Sequence, residues 1–186
     1  GSDETAGYDP RTGERIWWCR GPSDVSVAGM VYGEGTIFVT SRYPRRSRMG
    51  IRVDGSGDVT ESHVAWDERR QASYVPSPVY HDGHVYTVMD EGMMICLNLK
   101  TGEPVWEQRL GGRYRASLIL AEGRIYATND KGVNTVLEAT REGYREVAKN
   151  DLQEFCYATL AVSNGKLFVR AGEHLYCIGE AQNAKR

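Results

Sequence analysis

Arginine interleaved with tyrosine is the most chemically pointed feature of this sequence. Arg42, Tyr43, Arg45, Arg46 and Arg48 form one cluster, Arg69, Arg70 and Tyr74 a second, and Arg113, Tyr114 and Arg115 a third. A guanidinium holds phosphate or carboxylate through paired hydrogen bonds and stacks on aromatic rings. Such clusters therefore suit a phosphate, a carboxylate or an acidic peptide, although a basic loop that simply stays solvated has the same composition.

Other reactive groups are thinly spread. Cys19, Cys96, Cys156 and Cys177 are too far apart for a zinc ribbon, a redox Cys-x-x-Cys or a haem attachment site. They read as free thiols on strands, where cysteine behaves as a small hydrophobe, with a disulfide left open. His63, His81, His84 and His174 assemble into no Cys/His or Ser/His/Asp set, so no catalytic residue is assigned. The run Asp54-Gly55-Ser56-Gly57-Asp58 offers hard oxygen ligands but lacks the distal glutamate of a calcium loop. A hairpin turn between two strands is the expectation there, with Asp54 and Asp58 as residual metal candidates. Asp90-Glu91, Asn129-Asp130 and Asn150-Asp151 fit turns, where short polar side chains bond their own backbone.

Composition narrows the partners. With 26% charged residues and a formal net charge of −2 over 186 residues, no global field favours nucleic acid. The longest apolar runs, residues 93–97 and 118–121, fall far short of the roughly 20 residues that cross a bilayer, so no membrane insertion is expected. No charged stretch followed by an apolar one opens the chain as an export signal does.

The elements that position the clusters come from a repeat. Residues 29–39, 77–87, 117–127 and 159–169 share one pattern: an apolar run, an acidic or amide residue before glycine, then an alternating run. Glu34-Gly35, Asp82-Gly83, Glu122-Gly123 and Asn164-Gly165 are tight-hairpin signals, because such pairs reach positive φ at little cost. A second element recurs at Asp9-Pro10-Arg11-Thr12-Gly13-Glu14-Arg15-Ile16-Trp17 and Asn98-Leu99-Lys100-Thr101-Gly102-Glu103-Pro104-Val105-Trp106. The tryptophan follows the turn glycine by four positions in both, and reads as filling between neighbouring sheets.

These motifs resemble the PQQ-like β-propeller repeat of quinoprotein-type and BamB-like proteins, most closely over residues 77–106. Residues 50–66 match more loosely, and the third repeat has Glu142-Gly143-Tyr144 where the Thr-Gly-x-x-x-Trp ending belongs. The resemblance implies an all-β fold, a propeller of four blades with four antiparallel strands each. Its division is an orphan outer strand and linker at 1–26, blades at 27–75, 76–115 and 116–157, a last blade at 158–180 without its own outer strand, and a tail at 181–186. Inner strands are expected to begin near residues 27, 76, 116 and 158, second strands near 36, 84, 124 and 166, third strands near 50, 93, 133 and 174, and outer strands near 16, 64, 105 and 144.

Unpaired edges invite strand addition. The orphan strand at Arg15–Trp18 is therefore expected to pair with the third strand at 174–178, in one chain or between two copies closing an eight-bladed ring. The carboxy-terminal half of a longer propeller protein is the further alternative. The family also implies a ligand face around the central channel, which would carry the arginine and tyrosine clusters. The reading is a non-catalytic binding scaffold for a protein or peptide, without cofactor, in a periplasmic or extracytoplasmic setting. The alternatives are a relative of the PQQ-dependent dehydrogenases, whose adjacent cysteine pair is missing here, and a purely structural ring-completing module.

Overall fold

The computed structural model describes residues 3–179, and every regular element among them is a β-strand. The expected tail at 181–186 and residue 180 lie outside the described residues. Three four-stranded antiparallel sheets follow one another along the chain. The first comprises β3 (Val31–Gly33), β4 (Thr36–Ser41), β5 (Ser47–Arg52) and β7 (Val64–Glu68). The second comprises β8 (Val79–His81), β9 (His84–Val88), β10 (Met93–Asn98) and β11 (Pro104–Arg109). The third comprises β12 (Ile119–Ala121), β13 (Arg124–Thr128), β14 (Val133–Glu138) and β15 (Glu146–Asp151). A three-stranded sheet of β16 (Ala161–Ser163), β17 (Lys166–Arg170) and β18 (Leu175–Ile178) is the fourth repeat.

All four glycine hairpins form where the sequence places them. Both central residues of each turn have positive φ: 47° and 76° at Glu34-Gly35, 45° and 74° at Asp82-Gly83, 50° and 71° at Glu122-Gly123, 49° and 70° at Asn164-Gly165. That is the two-residue type I′ turn, whose twist matches the flanking strands. Inner strands start about three residues later than expected, because the preceding backbone bonds sideways to the next repeat instead of within its own sheet. Gly29 N–H donates to Ser77 Oγ (2.8 Å), Ser77 N–H to Ser117 Oγ (3.1 Å) and Ser117 N–H to Thr159 Oγ1 (3.0 Å). One hydroxyl per repeat thus ties successive inner strands together.

Period-two alternation sends each interior strand's side chains into two sheet-to-sheet interfaces, so β4 and β9 are buried along their whole length. Phe38 meets Val85, Ile95, Leu97 and Leu99 between the first and second sheets. Tyr86, Val88, Met94 and Cys96 meet Tyr114, Leu118, Ile125 and Leu137 between the second and third. Burying one such large apolar side chain contributes about 1.5–3 kcal/mol.

The tryptophans sit at one register position. Trp17, Trp66 and Trp106 stand opposite Gly7, Gly50 and Cys96, immediately before a register shift in each hairpin; in the third sheet Ala148 stands opposite Val136. A bulky ring is accommodated where the facing residue is small.

The amino-terminal region departs from the expectation of an orphan strand. Its strand β2 (Arg15–Arg20) pairs antiparallel with β1 (Glu4–Tyr8), not with 174–178. On its other side β2 meets β6 (Gly57–Asp58) in parallel, through Trp17–Gly57 and Trp18–Asp58. The segment 54–58 is therefore not the simple hairpin turn expected of it. It leaves the first sheet, lays β6 along β2 and buries Val59, whose N–H donates to Trp18 O (2.8 Å). Because β2 already has a partner on each side, it does not pair with β18 within this chain. Among the described residues the outer edge of β18 has no strand partner, and Leu175 on it is 73% exposed.

Candidate functional site

The turns β4–β5, β9–β10 and β13–β14 and the crossovers between sheets bring the arginine and tyrosine clusters to the sheet ends, and each hydrogen-bonding partner decides what a residue can still do. Arg42 is committed. It forms an ion pair with Glu91 and lies 3.9 Å from Asp90 Oδ2, bridging the first and second sheets. The hydrogen bond to Glu91 holds the Arg42 guanidinium above its usual range and the Glu91 carboxyl below its own. Asp90 also accepts from Tyr74 N–H (2.9 Å), so Tyr74 is half-buried in the same joint.

Two candidates are corrected. Arg48 is a strand residue of β5, only 2% exposed, whose side chain enters the interface with the second sheet on the same face as Gly50; Nε and Nη1 have no hydrogen-bond partner. Burial drives its pKa downward. Tyr114 is 1% exposed and belongs to the core between the second and third sheets, and burial raises its hydroxyl to about 12. Neither is available to a ligand on the surface. Arg48 is buried because β5 is an interior strand covered on both faces, and Tyr114, in the crossover before β12, is drawn into the core between the second and third sheets.

The exposed remainder is Tyr43, Arg45, Arg46, Arg69, Arg70, Arg113 and Arg115. Arg115 stacks over the Tyr157 ring at 5.7 Å, and Arg113 brackets the β13–β14 turn through backbone bonds with Asp130. Three of the arginines converge elsewhere. Arg45, Arg46 and Arg69 line a cleft of about 180 Å³ together with Arg20, at the end of the amino-terminal and first sheets. Gly21 and Pro22 form its wall, and Asp67 is its acidic member. Asp67 is already engaged by Arg69 (2.8 and 2.9 Å) and by the Ser47 hydroxyl (2.9 Å). Arg45 has one distant ion pair with Asp24, at 3.8 Å, and Arg46 donates to Arg70 O at 3.4 Å. The cleft therefore carries excess positive charge on partly exposed guanidinium groups, which suits a carboxylate or phosphate. Arg20 escaped the sequence reading because its contribution depends on β2 lying beside the first sheet, a pairing no local motif announces.

The remaining candidates do not converge. Asp58 accepts from Thr60 N–H (3.0 Å) and its hydroxyl (2.6 Å), while Asp54 faces His63 Nε2 at 3.5 Å. Among the described residues no three His, Cys, Asp or Glu side chains come together as metal ligands. Cys19 on β2, Cys96 on β10 and Cys156 in the crossover from the third to the fourth sheet are buried and Cys177 on β18 is exposed, all as free thiols.

Comparison with known proteins fits this geometry. A family model described as outer membrane protein assembly factor BamB matches residues 52–146, half of the chain. The fold is similar to the crystal structure of BamB from Moraxella catarrhalis, with TM-score 0.73 and 17% identity over 96% of this chain and 52% of that one. It is also similar to the computationally designed Ika8 protein (TM-score 0.70, 12% identity, 94% of this chain, 51% of that one). The quinohemoprotein alcohol dehydrogenase ADHIIG from Pseudomonas putida HK5 shares it at TM-score 0.64 and 12% identity, over 90% of this chain and 30% of that one. The chain thus spans about half the length of the first two structures. No curated protein matches it.

Proposed function

Because the chain belongs to the family of the outer membrane protein assembly factor BamB, through the repeats of residues 52–146, we propose that it is a non-catalytic propeller module binding a protein or peptide through its arginine-rich loop face. The observation that carries this reading is the cleft of Arg20, Arg45, Arg46 and Arg69, with its single carboxylate already neutralised. An acidic peptide segment is the ligand such a cleft favours. In this reading the successive sheets are blades about a common axis, beginning near residues 27, 76, 116 and 158, and the edge of β18 that is unpaired among the described residues is where a further strand completes the fourth blade. The family name points to an extracytoplasmic setting beside the outer membrane.

A quinone-dependent enzyme fits less well. The four cysteines are dispersed, and the indoles of Trp66 and Trp106 are committed to sheet interfaces, each donating to a carbonyl of the next sheet.

The test is fluorescence anisotropy with a labelled Asp/Glu-rich peptide against the protein and its Arg45→Glu/Arg46→Glu variant. Binding should weaken as salt rises through the range where exposed charges are screened, and should fall about tenfold or more in the variant. Equal binding by the folded variant defeats the proposal.

A further inference from the structure

The interface between the third and fourth sheets contains a partly enclosed cavity of about 210 Å³. Its origin is legible when the repeats are superposed by their backbone bonds. Tyr114 N–H donates to Asp90 O and Cys156 N–H to Asp130 O, so Cys156 stands where the previous interface has Tyr114. Opposite the equivalent bulge, Ala148 stands where the second sheet has Trp106. The pairs Met94–Val88 and Asn134–Thr128 are equivalent in register as well. One interface is filled by a tyrosine, a tryptophan and a methionine. In the next these have become cysteine, alanine and asparagine: Asn134 lines the cavity, Cys156 packs with its lining residues Leu160 and Val169, and Ala148 pairs with its lining residue Val136. Interiors are packed to crystal-like density, so lost side-chain volume that persists as space is an acceptor for something else.

We infer that this cavity is a binding site for a small aromatic molecule of one or two fused rings carrying a single N–H or O–H donor. Its apolar body is set by Val136 and Tyr126 on one side and by Leu160, Leu167 and Val169 on the other. In the first two sheets the residues equivalent to Tyr126, Phe38 and Tyr86, each hold an indole at 6.0 Å between centroids. Tyr126 lacks that partner, since position 148 is alanine. The size agrees: an apolar cavity of about 150 Å³ takes up benzene, and this one is larger. One end is polar. Asn134 and Thr128 are both more than nine-tenths buried, and Asn134 Nδ2 donates to Thr128 Oγ1 (2.7 Å). That bond leaves the Asn134 amide oxygen as an acceptor at the cavity wall. This site is separate from the arginine cleft and does not depend on it.

Indole and phenol are the probes, followed by isothermal titration calorimetry on the full chain. Saturable binding of at least one is expected, with affinity reduced about tenfold or more in Ala148→Trp and in Cys156→Tyr, which restore the neighbouring interface's fillers. Asn134→Leu should weaken binding less than either. No saturable binding by the wild type, or unchanged binding in a filled variant that melts cooperatively, overturns the inference. If both filled variants fail to fold, intermolecular nuclear Overhauser effects decide. Contacts from indole to the methyls of Leu160, Leu167 and Val169 support the site, and contacts elsewhere or none at saturating indole defeat it.

Discussion

The indole N–H of Trp66 donates to the carbonyl of Leu99, 2.8 Å away, which joins the outer strand of the first sheet to the turn that opens the outer strand of the second. Trp106 repeats the arrangement one sheet later, donating to Thr140 O at 3.0 Å. Each tryptophan therefore both fills an interface and fixes the stagger of two sheets by one directed bond, the kind of polar handle that sets indole apart from other large apolar groups.

The same contact makes one turn glycine irreplaceable. Gly102 has φ +74°, and a methyl group added there would stand 2.4 Å from Trp66 Cδ2. Gly13 in the matching amino-terminal turn has φ +76° with nothing within 4 Å. Gly13→Ala should cost about 1–2 kcal/mol from the left-handed backbone alone. Gly102→Ala should cost a further ~1–3 kcal/mol from overpacking. Urea unfolding of the two variants measures the difference, and equal losses would show that the ring yields freely.

A buried guanidinium with Nε and Nη1 unbonded is a liability at position 48, where the charges of Glu68 and Glu107 offset its burial only in part. Arg48 occupies the register position that Met94 fills in the second sheet, two residues before the bulge in each. Desolvation there is not matched by an ion pair, since Nε and Nη1 go unbonded. Replacing such a charge by an apolar residue of similar length removes the penalty. Arg48→Met should therefore raise stability by about 1–3 kcal/mol, against the usual trend of core substitutions. A lower melting temperature for the variant would mean that the guanidinium is satisfied in solution.

Hairpin chemistry was the most legible part of the fold, because type I′ turns need positive φ at two consecutive residues and the sequence shows which residues accept it. Gly35, Gly83, Gly123 and Gly165 accordingly located eight strands. The pairing of β2 with β6 was not legible, since two residues in parallel register carry no periodic signal. The arginine face was legible only in part. Composition brings Arg45, Arg46 and Arg69 forward, but whether an arginine reaches solvent depends on whether it stands in a turn or on a strand covered on both faces, as β5 is. Arg48 is buried for that reason, and Arg20 joins the cleft only through the pairing of β2 with β6.

The fourth sheet should loosen in acid. Glu154, in the crossover from the third sheet, accepts from the Tyr176 hydroxyl, from Glu173 N–H (2.8 Å) and faces His174 Nδ1 at 2.5 Å. The Tyr176 bond first, then the Glu173 amide, hold its carboxyl at about 2, below the ordinary 4.5. A depressed carboxyl pKa stabilises the fold above the unfolded value, and that contribution is lost as pH falls through the folded one. The stability difference between wild type and Glu154→Gln should thus be full at neutral pH, shrink as pH drops below the ordinary carboxyl range and vanish near the folded value. A difference that stays constant across that window would assign the effect to packing.

Thiol reactivity separates the described end of the chain from its core. Burial pushes the thiols of Cys19 and Cys96 up to about 11 and raises that of Cys156, whereas Cys177 on β18 is exposed. The thiolate is the reactive species, so both access and ionisation protect the first three. In a native sample an aromatic disulfide reagent should consume one thiol rapidly and the other three only at the rate of global unfolding. Cys177→Ser should abolish the fast phase. Because Cys177 lies one residue before Ile178 on the strand whose outer edge has no strand partner among the described residues, a strand added there by a partner slows the fast phase, and a ligand confined to the arginine cleft leaves it unchanged. Rapid labelling of more than one thiol in the native protein would show that the sheet interfaces open locally, which the continuous burial of β4, β9 and β10 argues against.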